Sequence, residues 1–106
     1  MEKKISILVK EPGKDAYRKE IDNTLESLQR EVGGYIETVT FEQDIVLICD
    51  EEGRFKNKPA NFAFIGNVFV GTVLLAGADG EDFASLSERA EELIETISPQ
   101  LIRARR

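Results

Sequence analysis

The chain has 106 residues and a formal net charge of −6 at pH 7, with 14 lysine and arginine residues against 20 aspartate and glutamate residues. Its length and its hydrophobic content of 42% are typical of one soluble domain with its own core, and the acidic balance argues against general nucleic-acid binding. The absence of histidine excludes Ser-His-Asp and Cys-His catalysis and zinc sites that use histidine.

Cysteine content and hydropathy bear on the compartment. Cys49 is the only cysteine, so no internal disulfide can form, in keeping with a reducing environment. The start of the chain has only a short apolar run, unlike a signal peptide. The uncharged segment 62–78 contains glycines and an asparagine and is a poor transmembrane segment. We expect a cytoplasmic protein without a membrane partner.

The first twenty residues predict a strand and a turn. Apolar residues alternate over residues 5–9, which predicts a strand. The segment Glu-Pro-Gly-Lys at 11–14 predicts a type II turn, because proline fixes φ at the second position and glycine accepts positive φ at the third. The connection that follows can include a short extended piece around residues 17–21.

A short helix is predicted over residues 24–32. Asn23 can cap it, and Glu26 three residues later completes a capping-box pattern. Gly33 is expected to end the helix in the left-handed conformation. One apolar stripe would be buried: Leu25, Leu28 and Val32.

Three more strands are predicted downstream. Residues 35–41 and 45–49 are close enough to form a β-hairpin, and the second of these is apolar on both faces. Residues 68–76 carry no charge and are apolar on both faces, which is typical of a central strand covered on both sides. Gly71 and the β-branched residues of this run argue against a helix there.

The last predicted element is an amphipathic helix. The segment Ser-Leu-Ser-Glu at 85–88 matches a capping box. Pro99 should break the helix near Ser98 and leave a basic tail over residues 99–106. The apolar stripe comprises Leu86, Ala90, Leu93, Ile94, Ile97 and Leu101.

Together these elements predict a single α+β domain over residues 1–106, with its core at about 5–98. We expect a mixed or mostly antiparallel sheet of four or five strands, element order β-α-β-β-loop-β-α, and both helices on one face. The other face of the central strand then needs cover, either from residues 62–65 or from a second copy of the chain. A homo-oligomer through that face is therefore one of two hypotheses.

Short blocks spread over residues 5–93 follow one family pattern. They are EPGK at 11–14, KEIDNTLE at 19–26, LQ at 28–29, VGGYIE at 32–37, ICDEEG at 48–53, Asn57 with PAN at 59–61, GT at 71–72 and SL at 85–86. In these blocks the chain resembles the family called domain of unknown function 3846, small proteins of phages, conjugative elements and their bacterial hosts. The resemblance implies a cytosolic accessory protein of a mobile genetic element, and it implies no established reaction.

Two groups of residues are candidate binding positions. Gly33 and Gly34 could approach a phosphate or nucleotide closely, with Tyr35 stacked on a base, although a helix end followed by a strand is the favoured interpretation. Asn57 and Asn61, on either side of Pro59, could recognise a base edge, a ribose or a peptide backbone through their amides. Plain turn chemistry is the favoured alternative for this second group.

Other candidates have weaker support. Lys14 could contact an anion, but a solvated turn lysine is favoured. The segment Asp-Glu-Glu at 50–52 lacks the length and ligand alternation of a calcium loop. Cys49 has no histidine partner and lies in an apolar run, which favours a buried core thiol over a nucleophile. We expect no metal and no cofactor.

The final helix has an acidic face that could imitate DNA phosphates. Its carboxylates, with those of Asp79, Glu81 and Asp82, face one nearby cation, Arg89. The overall charge balance favours an ordinary solvated face instead. The four helical members are Glu88, Glu91, Glu92 and Glu95.

The sequence therefore favours a non-enzymatic binding protein that captures a small ligand or a host protein, including a role in counter-defence. An antirestriction-type DNA mimic is one alternative. An enzyme of unknown type that uses carboxylates or lysine is another, and the absence of histidine makes it the least favoured.

Overall fold

A computed structural model of the protein describes residues 3–42 and 44–104. It contains eight strands, two α-helices and one 3-10 helix over these residues. In chain order they are β1 (Lys4–Lys10), β2 (Tyr17–Asp22), α1 (Leu25–Val32), β3 (Ile36–Glu42), β4 (Ile45–Asp50), β5 (Ala60–Phe64), β6 (Asn67–Val70), β7 (Val73–Asp79), β8 (Asp82–Ala84), α2 (Glu88–Ile97) and the 3-10 helix Pro99–Leu101.

The main sheet has strand order β2-β1-β7-β4-β3, and β8 pairs with the C-terminal end of β7. Every described pairing is antiparallel. The prediction of an α+β fold with a mostly antiparallel sheet is confirmed, as is the hairpin that is formed by β3 and β4. β7 lies in the middle of the sheet between β1 and β4, and residues Val73 to Ala76 are fully buried.

The prediction of one continuous strand over residues 68–76 is wrong. The run is divided at Gly71 between β6, which belongs to a separate two-stranded sheet with β5, and β7. Gly71 has φ of 71°, a conformation that favours glycine. A Cβ atom there would come within 2.7 Å of Lys58 Cδ. The chain therefore turns at a residue whose lack of a side chain leaves room for the aliphatic part of Lys58.

The two helices lie on opposite faces of the sheet, so the prediction that they share a face is wrong. Leu28 and Val32 of α1 pack in one cluster with Ile48 of β4, whereas Ile94 of α2 packs in another with Leu47. Successive residues of a strand point to opposite faces. Because both faces of β4 and β7 are apolar, each face needs its own cover.

The β5–β6 hairpin completes the cover on the α2 side. Phe62, Phe64 and Phe69 are buried there, and the Phe62 and Phe69 rings stack with centroids 5.1 Å apart. The Phe64 ring also stacks on Phe41 at the end of β3, at 5.3 Å. The segment 62–65 thus supplies cover as expected, but as a strand rather than a loop. A second copy is not needed for this purpose, and the homo-oligomer stays a prediction.

Both helix caps lie later in the chain than predicted. The Thr24 hydroxyl accepts from Ser27 N–H and the Ser87 hydroxyl accepts from Ala90 N–H. Asn23 instead donates its side-chain amide to the Phe83 carbonyl. The Ser85 hydroxyl accepts from the Ser6 N–H of β1. The two side chains that were expected to cap helices therefore link separate parts of the chain instead.

Other local predictions agree with the structure. The Lys14 N–H donates to the Glu11 carbonyl at 3.2 Å across the first turn, where Gly13 has φ of 77°. Gly33 ends α1 with φ of 82°. α2 ends at Ile97, two residues before Pro99.

The last described residues contribute to the core. Leu101 and Ile102, which the sequence places in the basic tail, are buried with the β5–β6 hairpin, while residues 105–106 of that tail lie outside the described residues. Two members of the predicted apolar stripe of α2, Leu93 and Ile97, are exposed. No helix among the described residues has the length and apolar character that would let it cross a membrane.

Candidate functional site

A buried carboxylate at the end of β4 organises the first candidate site. The Asp50 side chain is 1% exposed and accepts hydrogen bonds from Lys56 Nζ at 2.8 Å, Lys58 Nζ at 2.7 Å and the Glu52 N–H at 2.9 Å. Burial raises the pKa of Asp50, but these three donors outweigh it and lower that pKa to about 2. The carboxylate is therefore ionised at neutral pH.

The same two lysines hold the end of α1. Lys58 Nζ donates to the Val32 carbonyl at 2.7 Å and Lys56 Nζ to the Gly33 carbonyl at 3.1 Å, two acceptors at a helix end. A Cβ atom on Gly34 would come within 2.6 Å of Asp50 Oδ1. Gly34 is thus needed for space, whereas Gly33 is needed for its positive φ. We call these five residues, Gly33, Gly34, Asp50, Lys56 and Lys58, the Asp50 cluster.

The Asp50 cluster leaves little room for the predicted phosphate contact. The N–H groups of Gly33 and Gly34 both donate to the Gln29 carbonyl, at 2.7 and 3.1 Å. An anion would have to compete with these bonds. Tyr35 follows with 66% of its surface exposed, and its ring is open to a partner.

The two amides of the second predicted group have different settings. Asn61 donates to the carbonyls of Lys10 and Gly71, at 2.7 and 2.8 Å, and accepts from Lys10 Nζ at 2.9 Å. It thereby joins β1, β5 and the turn before β7. Asn57 lies exposed in a turn with φ of 55°, and the Pro59 carbonyl accepts from the Gly71 N–H.

Lys10 was not singled out from the sequence. It is 1% exposed, and its Nζ also donates to the Glu11 carbonyl at 3.1 Å. Burial lowers the pKa of Lys10 from its ordinary value. Lys14 of the first turn, in contrast, is solvated and lies 3.7 Å from the Glu11 carboxylate.

Half of the acidic face of α2 is neutralised by arginines from other elements. Arg18 of β2 pairs with Glu91 at 2.6 Å, and Arg103 pairs with Glu95 at 2.6 Å. Within the described residues, no ion pair involves Glu88 or Glu92. The face borders an open depression of about 610 Å³ that also includes Arg18 and Thr96.

A groove of about 620 Å³ lies between β3, the end of β4 and β6. We call it the Cys49 groove. Its apolar lining includes Cys49, Phe55 and Val68, and its charged lining includes Glu37, Glu51 and Arg54. The remaining side chains around it are Val39, Asp50, Asn67, Phe69 and Val70.

The rim of the Cys49 groove is unusually apolar for a solvated surface. Phe55 is 88% exposed and Val68 is 49% exposed, and both border the open space of the groove, which a ligand could fill. Ile65, at the nearby hairpin tip, is 75% exposed. Exposed apolar residues around a concave surface are typical of interaction sites.

The Cys49 thiol is the candidate nucleophile among the residues that line the groove. Burial first, and then the neighbouring Glu37 carboxylate, raise the pKa of the Cys49 thiol to about 11. The thiol therefore stays protonated at neutral pH and is a poor nucleophile. Among residues 3–42 and 44–104, no group of three or more histidine, cysteine, aspartate or glutamate side chains is arranged to hold a metal ion.

Sequence reasoning named Cys49, Asp50 and Glu51 as candidates but did not identify the other residues of the groove as a site. Phe55 carries the one available signal, because it is a single aromatic residue within the charged segment from Asp50 to Lys58. An aromatic side chain in such a segment has no neighbours in sequence with which to form a core. Val68 gave no signal, since it belongs to an apolar run that predicts a buried strand.

Comparisons with known proteins add a family and no individual relative. A family model described as a domain of unknown function (DUF3846) matches residues 4–98. No curated protein and no solved structure matches the chain.

Proposed function

The chain belongs to the family of the domain of unknown function (DUF3846), and on that premise we propose that it is a non-enzymatic binding protein. Its Cys49 groove would capture a partner that carries an apolar group beside a positive charge. The single observation that supports this most is the 88% exposure of Phe55 at the rim of an apolar-lined groove.

The free energy available from the rim is substantial. Covering an exposed phenylalanine or valine side chain stabilises a complex by about 1.5–3 kcal/mol at most. Phe55 and Val68 are both exposed and would be covered by the same ligand. The groove volume is also within the range of about 300–1,000 Å³ that is typical of ligand sites.

The charges of the groove indicate the sign of the ligand. Glu37 and Glu51 line it, against the single cation Arg54, because Lys56 and Lys58 point to the buried Asp50 instead. A cation is therefore favoured over an anion. Capture of a nucleotide signal, one form of counter-defence, has less support than capture of a cationic small ligand or a basic host protein.

The biological setting remains part of the proposal. An accessory role in a phage or another mobile genetic element, in the cytoplasm of the host, is supported by the family resemblance alone. The DNA-mimic alternative has less support, because Arg18 and Arg103 neutralise Glu91 and Glu95. The enzyme alternative, which would use carboxylates or lysine, has less support because Asp50, Lys56 and Lys58 are paired with one another.

A matched pair of small probes tests the proposed function. 2-Phenylethylamine carries a ring and a cation, and phenylacetate carries the same ring and an anion. In titrations followed by ¹⁵N–¹H NMR spectra, the amine should shift the amides of Glu37, Cys49, Phe55 and Val68 and saturate in the millimolar range, about 4 kcal/mol of binding free energy. Phenylacetate should bind at least about tenfold more weakly, a difference of ~1.4 kcal/mol.

Two results would contradict the proposal. One is equal binding of both probes, which would remove the role of the carboxylates. The other is a set of shifts confined to Tyr35 or to α2. Reversing Glu88, Glu91, Glu92 and Glu95 to lysine is the control for the acidic face, and it should leave binding of the amine unchanged.

A further inference from the structure

The open edge of β6 forms one wall of the Cys49 groove. β6 pairs with β5 alone, with Phe64 opposite Asn67 and Ala63 opposite Val68. The two residues between them, Ile65 and Gly66, have φ of 48° and 74°, as in a type I′ turn. Residue pairs of an antiparallel hairpin alternate between bonded and non-bonded pairs.

This register leaves the backbone groups of Val68 directed away from β5. The pair that closes a two-residue turn is a hydrogen-bonded pair, so the next pair, Ala63 and Val68, is not. In agreement, the Val68 carbonyl accepts from Arg54 Nη2 at 2.9 Å rather than from β5. Arg54 thus occupies a backbone acceptor that a further strand would use.

The Arg54 contact is weak enough to be displaced. Arg54 and Val68 are both exposed, and the bond between them lies at the surface. An exposed hydrogen bond of this kind exchanges readily with water. A peptide strand that lies at the usual spacing of about 4.7–4.9 Å from β6 could place a backbone N–H within hydrogen-bond distance of the same carbonyl.

The other walls define the side chains of such a peptide. Glu37 and Glu51 supply negative charge, and Cys49, Phe55 and Val68 supply apolar surface. An extended segment places alternate side chains on opposite sides, so it can direct apolar residues to the lining and basic residues to the carboxylates.

We propose that the Cys49 groove binds an extended basic peptide segment that adds to β6 as the third strand of the small sheet and displaces Arg54 from the Val68 carbonyl. The ligand is then a protein segment in which apolar and basic residues alternate, to match the apolar and acidic lining of the groove. The peptide site rests on the proposed function of the groove, and it adds backbone pairing, which a small amine cannot provide.

Fluorescently labelled heptapeptides of alternating lysine and valine are the probes, with glutamate and valine as the charge control. Two further lysine–valine peptides are N-methylated at every second residue. One carries the methyl groups on odd-numbered residues and the other on even-numbered residues, so each blocks the N–H groups along one edge of the strand. Fluorescence anisotropy should show binding of the unmodified basic peptide. One of the two methylated peptides should bind at least about tenfold more weakly, because each lost backbone bond costs about twofold to tenfold.

Arginine and glutamate variants test the geometry on the protein side. Arg54→Ala should tighten binding of the basic peptide by about twofold to tenfold, because the Val68 carbonyl is then free and a like charge is removed from the groove. Arg30→Ala, at an exposed position on α1, should leave it unchanged. Glu37→Gln should weaken binding, whereas Glu20→Gln, on the opposite edge of the sheet, should not.

The outcomes separate this proposal from the one above. If both methylated peptides bind as tightly as the unmodified one, strand addition is overturned while capture in the groove stands. If no peptide binds but 2-phenylethylamine still shifts the groove amides, the peptide class is wrong and the small-ligand function stands. If neither the peptides nor the amine binds, both proposals fail.

Discussion

The Asp50 cluster and the Cys49 groove share one loop, yet they differ in burial and in how far their polar groups are paired. Residues 51–58 contribute Lys56 and Lys58 to the cluster and Arg54 and Phe55 to the groove. In the cluster, a charge with 1% exposure is matched by three donors. In the groove, Phe55 is 88% exposed and has open space beside it.

The difference teaches where function can be sought in this fold. The glycines and charged residues of the cluster look like a binding motif in sequence, but their hydrogen-bonding groups are used within the chain. Groups that are already paired gain little from a ligand. The exposed apolar rim has the opposite character, since it gains stability only when a partner covers it.

The largest expected effect is on the Asp50 cluster. Asp50→Asn leaves the ammonium groups of Lys56 and Lys58 without their anion. Because these lysines are 40% and 22% exposed, the loss should lie at the lower end of the cost of breaking a buried pair, about 3 kcal/mol. Urea unfolding should show this loss at pH 7. Asp22→Asn, which breaks the exposed pair with Lys4, should cost far less, because water screens that pair.

The pH dependence sharpens the same test. The pKa of Asp50 is about 2 in the folded chain, below its ordinary value of 3.8. Its contribution, about 2 kcal/mol, is therefore complete above pH 4 and is lost as the pH falls toward 2. The difference in unfolding free energy between wild type and Asp50→Asn should shrink over that range. A difference that is independent of pH would contradict the assigned charge state.

A smaller effect is expected at Gly34. Gly34→Ala places a Cβ atom within 2.6 Å of both Asp50 Oδ1 and Lys56 Nζ, and overpacking of this kind costs about 1–3 kcal/mol. Gly13→Ala is the comparison. Gly13 has open space around it, so an alanine there would be strained only by the φ of 77°. Thermal unfolding should rank Gly34→Ala as the more destabilised variant, and the reverse order would argue against close packing in the cluster.

The smallest effect on stability is expected in the groove. Phe55→Ser removes a side chain that is 88% exposed and should change the unfolding free energy by less than about 0.5 kcal/mol. Binding of 2-phenylethylamine should nevertheless be lost in the NMR titration. Tyr35→Ser, a second exposed aromatic position outside the groove, is the matched control and should retain binding. Unchanged binding by Phe55→Ser would remove the main support for the groove.

Much of the fold could be predicted because local signals and packing agree. The turn at Gly13, the stop at Gly33 and the hairpin of β3 and β4 were all recognisable from residue type and spacing. The break at Gly71 was not, because a glycine in an apolar run does not reveal that Lys58 lies where its Cβ would be. The need for cover on both faces was recognised, but the apolar stripes of the two helices do not show which face each one covers.

The candidate site was predicted less well. Its members come from four separate segments, and several of them carry no pattern: Val68 looks like core, and Arg54 looks like an ordinary surface residue. The β6 wall also depends on the register of the β5–β6 hairpin, which turns at Ile65 and Gly66. A β-branched residue with positive φ is rare enough that sequence reasoning would not place a tight turn there.

One paired measurement tests the central claim most directly. The dissociation constant of 2-phenylethylamine is measured by NMR for wild type, Phe55→Ser and Gly34→Ala, together with the unfolding free energy of each. The account predicts that Phe55→Ser keeps its stability and loses binding, while Gly34→Ala loses stability and binds as wild type once the folded fraction is taken into account. Retained binding by Phe55→Ser with lost binding by folded Gly34→Ala would contradict it and place the site at the Asp50 cluster.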